Sequence, residues 1–219
     1  MVEEIFINPR TAFSCVQFAE IAPLPSGIMP EERAVIFGMG WERYLGFDKA
    51  LGDDRPGPRL YYLDGDLEIM STSKEHERIK EYIGDFMADF FWETQTQNMP
   101  RGQATMQMLE EAGAEPDKSW CVGEEGEWPD IVLEIALTSG ALSKLEIYRR
   151  FHVPEVWFWR RDALEVWNLR ADGSGYDGPA PASRVLPALP VALIVRCVPI
   201  ADWLAARRAF REGLAGHSA

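Results

Sequence analysis

No apolar run in this 219-residue sequence approaches the roughly 20 residues that a helix needs to cross a bilayer. The opening segment, MVEEIFINPR, begins with acids and lacks the basic-then-apolar pattern of a secretory signal. A cytoplasmic protein with no membrane partner is therefore expected. Cysteine is scarce too. Cys15, Cys121 and Cys197 are odd in number, far apart and in no CxxC pair, which argues against a disulfide framework or a zinc site and leaves three reduced thiols in or near the core. With only His76, His152 and His217, a His-rich metal centre is not expected. Any metal would be a hard, oxygen-preferring ion such as Mg2+ or Mn2+. Positive charge is also short: 22 Lys and Arg against 35 Asp and Glu leave a formal net charge of −13. That argues against a broadly basic, non-specific nucleic-acid binder, whose affinity comes from cations neutralising phosphates, but it leaves room for a local basic patch.

What is present is the material of a core. Hydrophobic residues make up 47% of the chain and aromatics 11%, enough to exclude disorder over most of its length. The length fits one domain, divided into an N-terminal arm with a helix (1–57), a core (58–170) and a C-terminal extension packing on that core (171–219). No internal repeat is visible. IAPLPSG (21–27) reads as loop, and Glu31 to Leu51 has helical character interrupted by Gly38 and Gly40. In RLYYLDGDLEIMS, Asp64-Gly65 lies between two β-prone runs and predicts a tight hairpin. From Glu75 to Gln95, Ile79, Ile83, Phe86, Met87, Phe90 and Phe91 recur at helical spacing behind a plausible N-cap, Ser73.

Short strands are expected at 104–109 and 117–122, and a stronger one at 128–137, WPDIVLEIAL, nearly continuous in apolar residues as a strand buried on both faces should be. Gly140 ends it. Ser143 and Glu146 then have capping-box spacing at the start of a short helix. EVWFW and LEVWNL, around RRDA, read as a β-hairpin, and residues 200–212 as a closing amphipathic helix. The order of elements indicates an α/β or α+β layer fold around one mixed sheet flanked by helices.

An ionisable residue inside a buried strand is informative, because an unpaired carboxylate there costs several kcal/mol. Side-chain alternation puts Asp130, Val132, Glu134 and Ala136 on one face of the strong strand and Ile131, Leu133 and Ile135 on the other. Glu134 sits mid-run. A structural alternative pairs it with an arginine such as Arg149. Asp130 lies roughly 13 Å away along an extended strand, too far to share an ion with Glu134, and is expected to cap the strand entrance. Asp117, which follows Pro116 and opens the short strand before this one, is the better partner: if the two strands are neighbours, two close carboxylates favour a cation between them. The alternative for Asp117 is an ordinary turn residue. Lys144, in the first helical turn, is disfavoured there by the dipole. Pairing with Glu134 would offset that, whereas a solvated lysine is the plain alternative. A carboxylate pair with a lysine is what metal-assisted phosphodiester hydrolysis requires.

The segments YLDGDLEIMSTSKEHERI, EPDKSWCV and PDIVLEIALTSGALSKLEIYRRFHVPEVWFW resemble the Uma2 family, also known as DUF820, bacterial proteins grouped with the PD-(D/E)XK nucleases. The likeness covers about residues 40–170. It implies a restriction-endonuclease-like core, a mixed β-sheet flanked by helices, with an N-terminal helical arm and a C-terminal β-hairpin. It also implies a Mg2+-dependent (or Mn2+-dependent) endonuclease acting on DNA. Carried over by residue, Asp117 corresponds to the PD acid and Glu134 to the (D/E) acid, both catalytic and both metal ligands. The superfamily lysine two residues further on is absent, since Ala136 stands there, and its role falls to Lys144. His76, in the helix-opening segment, matches a family position with a supporting role, either capping or beside the site.

Two functional classes follow. The first is the endonuclease, with Asp117 and Glu134 roughly 3–6 Å apart on one cation and Lys144 within reach of Glu134. On this reading Lys144 can be removed without much effect on folding. The second is a non-catalytic binding or assembly protein that keeps the fold and uses Trp157, Trp159 and Trp167 as an interface. The apolar hairpin at 155–169 and the closing helix also suggest a homodimer.

Overall fold

The computed structural model describes residues 5–7, 32–52, 57–102, 104–137 and 142–217, so Cys15, the loop expected at 21–27 and the strand-ending Gly140 lie outside the described residues. The elements in chain order are β1 (Ile5–Ile7), β2 (Arg33–Ile36), α1 (Trp41–Leu51), β3 (Arg59–Leu63), β4 (Asp66–Met70), α2 (Lys74–Glu93), β5 (Asn98–Pro100), β6 (Met106–Met108), β7 (Ala112–Ala114), β8 (Lys118–Val122), β9 (Ile131–Ile135), α3 (Lys144–Arg150), β10 (Glu155–Arg160), β11 (Ala163–Leu169), β12 (Tyr176–Ala180), α4 (Val191–Cys197) and α5 (Trp203–His217). Among the described residues no helix is long and apolar enough to cross a membrane.

The expected mixture of helices and strands is present, but the single sheet is not. Among the described residues there are two six-stranded sheets, ordered β1-β2-β4-β3-β7-β6 and β12-β11-β10-β9-β8-β5. Asp64 and Gly65 both have positive φ (46° and 96°), the backbone a two-residue hairpin turn demands, and they set Leu63 opposite Asp66. The other edge of β3 is taken by β7 and the other edge of β4 by β2. The hairpin therefore lies inside the first sheet and has no free edge of its own. The helical character read from Glu31 onward begins only at Trp41. Gly38, at φ 67°, turns the chain out of β2, and Gly40 is the N-cap of α1.

In the second sheet β9 runs parallel to β10 and antiparallel to β8, with α3 as the crossover between the parallel pair. The alternation of β9 separates two cores. Ile131, Leu133 and Ile135 pack with Ile83, Phe86 and Phe90 of α2 and with Phe210 of α5, where the Phe86 and Phe210 rings stack at 4.6 Å. Val132 packs on the other side with Ile147 and Tyr148 of α3 and Tyr61 of β3.

The hairpin at 155–169 forms as expected, yet it offers no tryptophan interface. Trp157 and Trp159 are 0% and 1% exposed, because β10 lies between β9 and β11 and its apolar side chains serve the same two cores. Trp167 is partly buried against the second core. The ground for a dimer through this hairpin is thereby lost. β12 and α4 form between the hairpin and the closing helix, where no element is expected from the sequence, and α4 and α5 share the core of β9 and β10. Cys121 and Cys197 are buried free thiols.

Candidate active site

Ser73 starts α2 by accepting a hydrogen bond from the His76 amide (3.1 Å), and this first turn directs the His76 ring inward. The ring is fully buried, with Nε2 2.7 Å from Asp117 Oδ1. Against an ionised carboxylate, that nitrogen carries the proton and donates. Asp117 immediately precedes β8. Its amide donates to the Leu133 carbonyl (3.1 Å) and its Oδ2 accepts from the Ile135 amide (2.7 Å). These are the two residues flanking Glu134, so the aspartate is fastened alongside Glu134 on the neighbouring strand. The Arg59 guanidinium of β3 lies 3.7 Å from Oδ1.

Glu134 projects from β9 toward α3 and the first sheet. Its Oε2 accepts from the Tyr61 hydroxyl (2.9 Å) and from the Lys144 ammonium (2.6 Å), and its Oε1 accepts from the Tyr148 hydroxyl. The Lys144 Nζ also lies 3.7 Å from the Tyr61 ring centroid, where the ring's quadrupole attracts it. Asp117, Glu134, Tyr61, Tyr148 and His76 are all 0% exposed, and Lys144 is 8% exposed. In so dry a place each charge depends on its partners.

The two carboxyls are driven apart by their surroundings. Burial pushes Asp117 up, but the His76 hydrogen bond and charge, with help from Lys144 and the Ile135 amide, outweigh it and hold the carboxyl below its ordinary value. Burial also pushes Glu134 up. There Lys144 opposes and the Asp117 charge reinforces, and the glutamate stays above its ordinary value. Burial, and then the Glu134 charge, raise both Tyr61 and Tyr148 far above the usual phenol range, so both remain protonated donors.

The fold thus brings Asp117, Glu134, Lys144 and His76 into one connected cluster spanning the second sheet, α2 and α3. Arg149 does not pair with Glu134; it is engaged by Glu146 one turn away, at 2.6 and 2.7 Å. Asp130 stays outside, accepting from the Val122 amide at 2.8 Å, the strand-entrance role expected of it. Tyr61, Tyr148 and Arg59 were not anticipated. Tyr148 carried a signal, since it lies four residues after Lys144 and shares its helical face. Tyr61 and Arg59, in β3 and far upstream in the sequence, carried none.

A hard divalent cation fits the donor chemistry. Mg2+ is commonly held by one or two carboxylates together with water and substrate phosphates, and two carboxylates are what the cluster supplies. Among the described residues no group of three or more His, Cys, Asp and Glu side chains could hold a metal ion, so most of the coordination would come from elsewhere. Each of the four carboxylate oxygens also accepts from a protein donor, which any cation would meet as competition.

No curated protein matches the chain. The solved structures it is similar to include one described as a "putative nuclease belonging to DUF820" from Anabaena variabilis ATCC 29413, at 13% identity and a TM-score of 0.44, over 80% of this chain and 99% of that one. The family model Uma2, described as "putative restriction endonuclease", matches residues 41–194. That stretch runs from the first residue of α1 into α4 and contains every residue of the cluster, and with most of its length so matched the chain belongs to the Uma2 family.

Proposed function

We propose that the protein is a Mg2+-dependent (or Mn2+-dependent) endonuclease that hydrolyses phosphodiester bonds of DNA, acting in the cytoplasm, with Asp117, Glu134 and Lys144 as its catalytic residues. The observation that carries this reading is the buried pair of carboxylates from adjacent strands with a lysine ammonium 2.6 Å from one of them. Burying such a set is poor design for stability alone, since apolar residues of similar volume do as well or better. Restriction-endonuclease-like enzymes generally use divalent metal ions.

Asp117 and Glu134 would hold the ion, which when bound lowers the pKa of its water and neutralises charge developing on the phosphate. His76 acts as a positioning residue, fixing the Asp117 carboxylate and keeping it ionised. Tyr61 and Tyr148 position the Glu134 carboxyl by donating to its two oxygens. Lys144, which lines the adjoining cavity, supplies a charge for a phosphate oxygen, and such a donor is typically worth about 10²–10³ in rate.

One observation favours a second reading, a non-catalytic protein that keeps the nuclease fold: every carboxylate oxygen of the cluster is already satisfied by a protein donor. Metal titration separates the two. The enzyme reading expects Mg2+ or Mn2+ to raise the melting temperature of the wild type but not of Glu134→Gln, and to support cleavage of plasmid, single-stranded or branched DNA that chelator abolishes. A wild type that neither responds to the ions nor cuts any of these substrates supports the second reading.

A further inference from the structure

A cavity of about 330 Å³ opens on the Lys144 side of the buried cluster. Its lining includes Arg33, Lys144, Arg160 and Arg161, with Ser143 and Phe158 between them, and no carboxylate among the described lining residues. Four cations around one small cavity stand out in a chain with a formal charge of −13. Three of them have carboxylates behind or beside them: Glu134 for Lys144, Glu68 at 2.6 Å for Arg33, and Glu165 at 3.2 Å for Arg160. These hold the cations in place while the cavity face stays cationic.

Arg160 is also braced by the Phe158 ring, 4.5 Å from its guanidinium carbon. Arg161 is exposed, in a left-handed turn at φ 51°, and makes no ion pair among the described residues. The cavity lies past the C-terminal ends of the parallel strands β9 and β10, where open α/β sheets generally bind their ligands.

We infer that this cavity is a phosphate subsite that seats a backbone phosphodiester of nucleic acid beside the Lys144 ammonium, with Arg160 and Arg161 as its principal contacts. Guanidinium groups suit this task because their planar donor forks match phosphate oxygens. The subsite also gives a protein of net charge −13 a local cationic mouth for a polyanionic ligand. The choice of nucleic acid over a free phosphate rests on the nuclease reading; the chemistry of the cavity does not.

The test is binding of a short labelled duplex by the full-length protein in chelator, followed by fluorescence anisotropy over a range of salt. Arg160→Gln and Arg161→Gln are compared with wild type and with Arg170→Gln, which removes an arginine paired with Asp177 on another surface. Each cavity variant is expected to bind roughly tenfold more weakly at about 0.1 M salt and to reduce the log–log salt slope by about one, while Arg170→Gln stays at wild-type affinity. Unchanged melting temperatures show that folding is not the cause, and because Arg161 is exposed its variant is informative even if Arg160→Gln unfolds.

Wild-type affinity and slope in both cavity variants would overturn the inference. So would arginine-dependent binding of inorganic phosphate without binding of duplex, which would make this a site for free phosphate. Cleavage with Mg2+ is measured separately. Normal cleavage by both variants rejects the subsite and leaves the nuclease reading standing, whereas arginine-dependent binding without any cleavage retains the subsite and rejects the nuclease.

Discussion

A lysine in the first turn of a helix opposes the helix dipole, and from its position alone Lys144 would be easy to remove. The structure changes that expectation, because its ammonium is buried against Glu134 and Tyr61. Lys144→Ala is therefore expected to lose about 3–5 kcal/mol of stability by stranding a buried carboxylate, as well as any cleavage activity. Denaturant unfolding and a cleavage assay on one preparation check both, and an unchanged unfolding midpoint would contradict the pairing described here. The neighbouring acids make a pH prediction. Asp117 titrates below its unfolded value, so it adds stability above about pH 3.9, the ordinary aspartate value, and that stability is lost as pH falls through the folded value. Glu134 titrates above its unfolded value, so it favours the fold most in acid and that contribution is lost as pH rises through the folded value. The stability deficit of Asp117→Asn should thus be larger at about pH 7 than at about pH 3. The same substitution should lower the Glu134 titration seen by carbon NMR, because it removes a repelling charge. Both acids were legible in the sequence, Glu134 because a carboxylate in an apolar strand is an anomaly that physics must answer, and Asp117 because it follows Pro116 at the start of a short strand that could lie beside it. Tyr61 and Tyr148 were not, because a tyrosine in a strand or a short helix looks like any core aromatic until its hydroxyl partner is known.

At the scale of elements, the sequence foretold which residues share a face and which strands join in hairpins, but not how the remaining strands are ordered. The alternation of β9 and the stripe of α2 were both readable, and both pack as the pattern requires. The split into two sheets was not readable, because it depends on three-residue strands such as β7 whose composition, Ala-Gly-Ala, carries no β signal. There small residues are demanded by a neighbour rather than by propensity. A Cβ on Gly113 would run into the phenol of Tyr44, itself fully buried and stacked 4.8 Å from Tyr62. Gly113→Ala should destabilise by about 1–3 kcal/mol through overpacking, readable as a lowered melting temperature, and Tyr44→Phe in the same chain should recover part of the loss by removing the hydroxyl. β12 was missed for a related reason: Gly178 and Pro179 are poor strand residues that an edge position tolerates.

Across the whole molecule, the tryptophan-rich hairpin proves to be interior, so a homodimer has to rest on other ground. The exposed large apolar residues include Trp92, Trp203 and Leu204, and light scattering at micromolar concentration gives the mass directly, with 24.8 kDa expected for a single chain. The C-terminal segment is tied inward by one buried carboxylate. Glu155 of β10 accepts from the Trp157 indole, the Ser183 hydroxyl and the amides of Arg184 and Val185, so the segment beyond β12 is fastened to a central strand.

Because every member of the candidate site except Lys144 is sealed from solvent, the cluster also has a clock. A substrate the size of a nucleic acid cannot enter it in the form described, so on the nuclease reading each turnover must wait for a local opening, and the frequency of opening sets a ceiling on the rate whatever the speed of the chemistry. The Ile135 amide, bonded to Asp117 Oδ2, is a built-in reporter of that event. Its hydrogen exchange should be faster than global unfolding allows if the site opens by itself, and should speed further when duplex DNA is present. Exchange only at the rate of global unfolding, with or without DNA, would mean that the cluster never opens in the folded protein, and that its buried charges serve architecture rather than turnover.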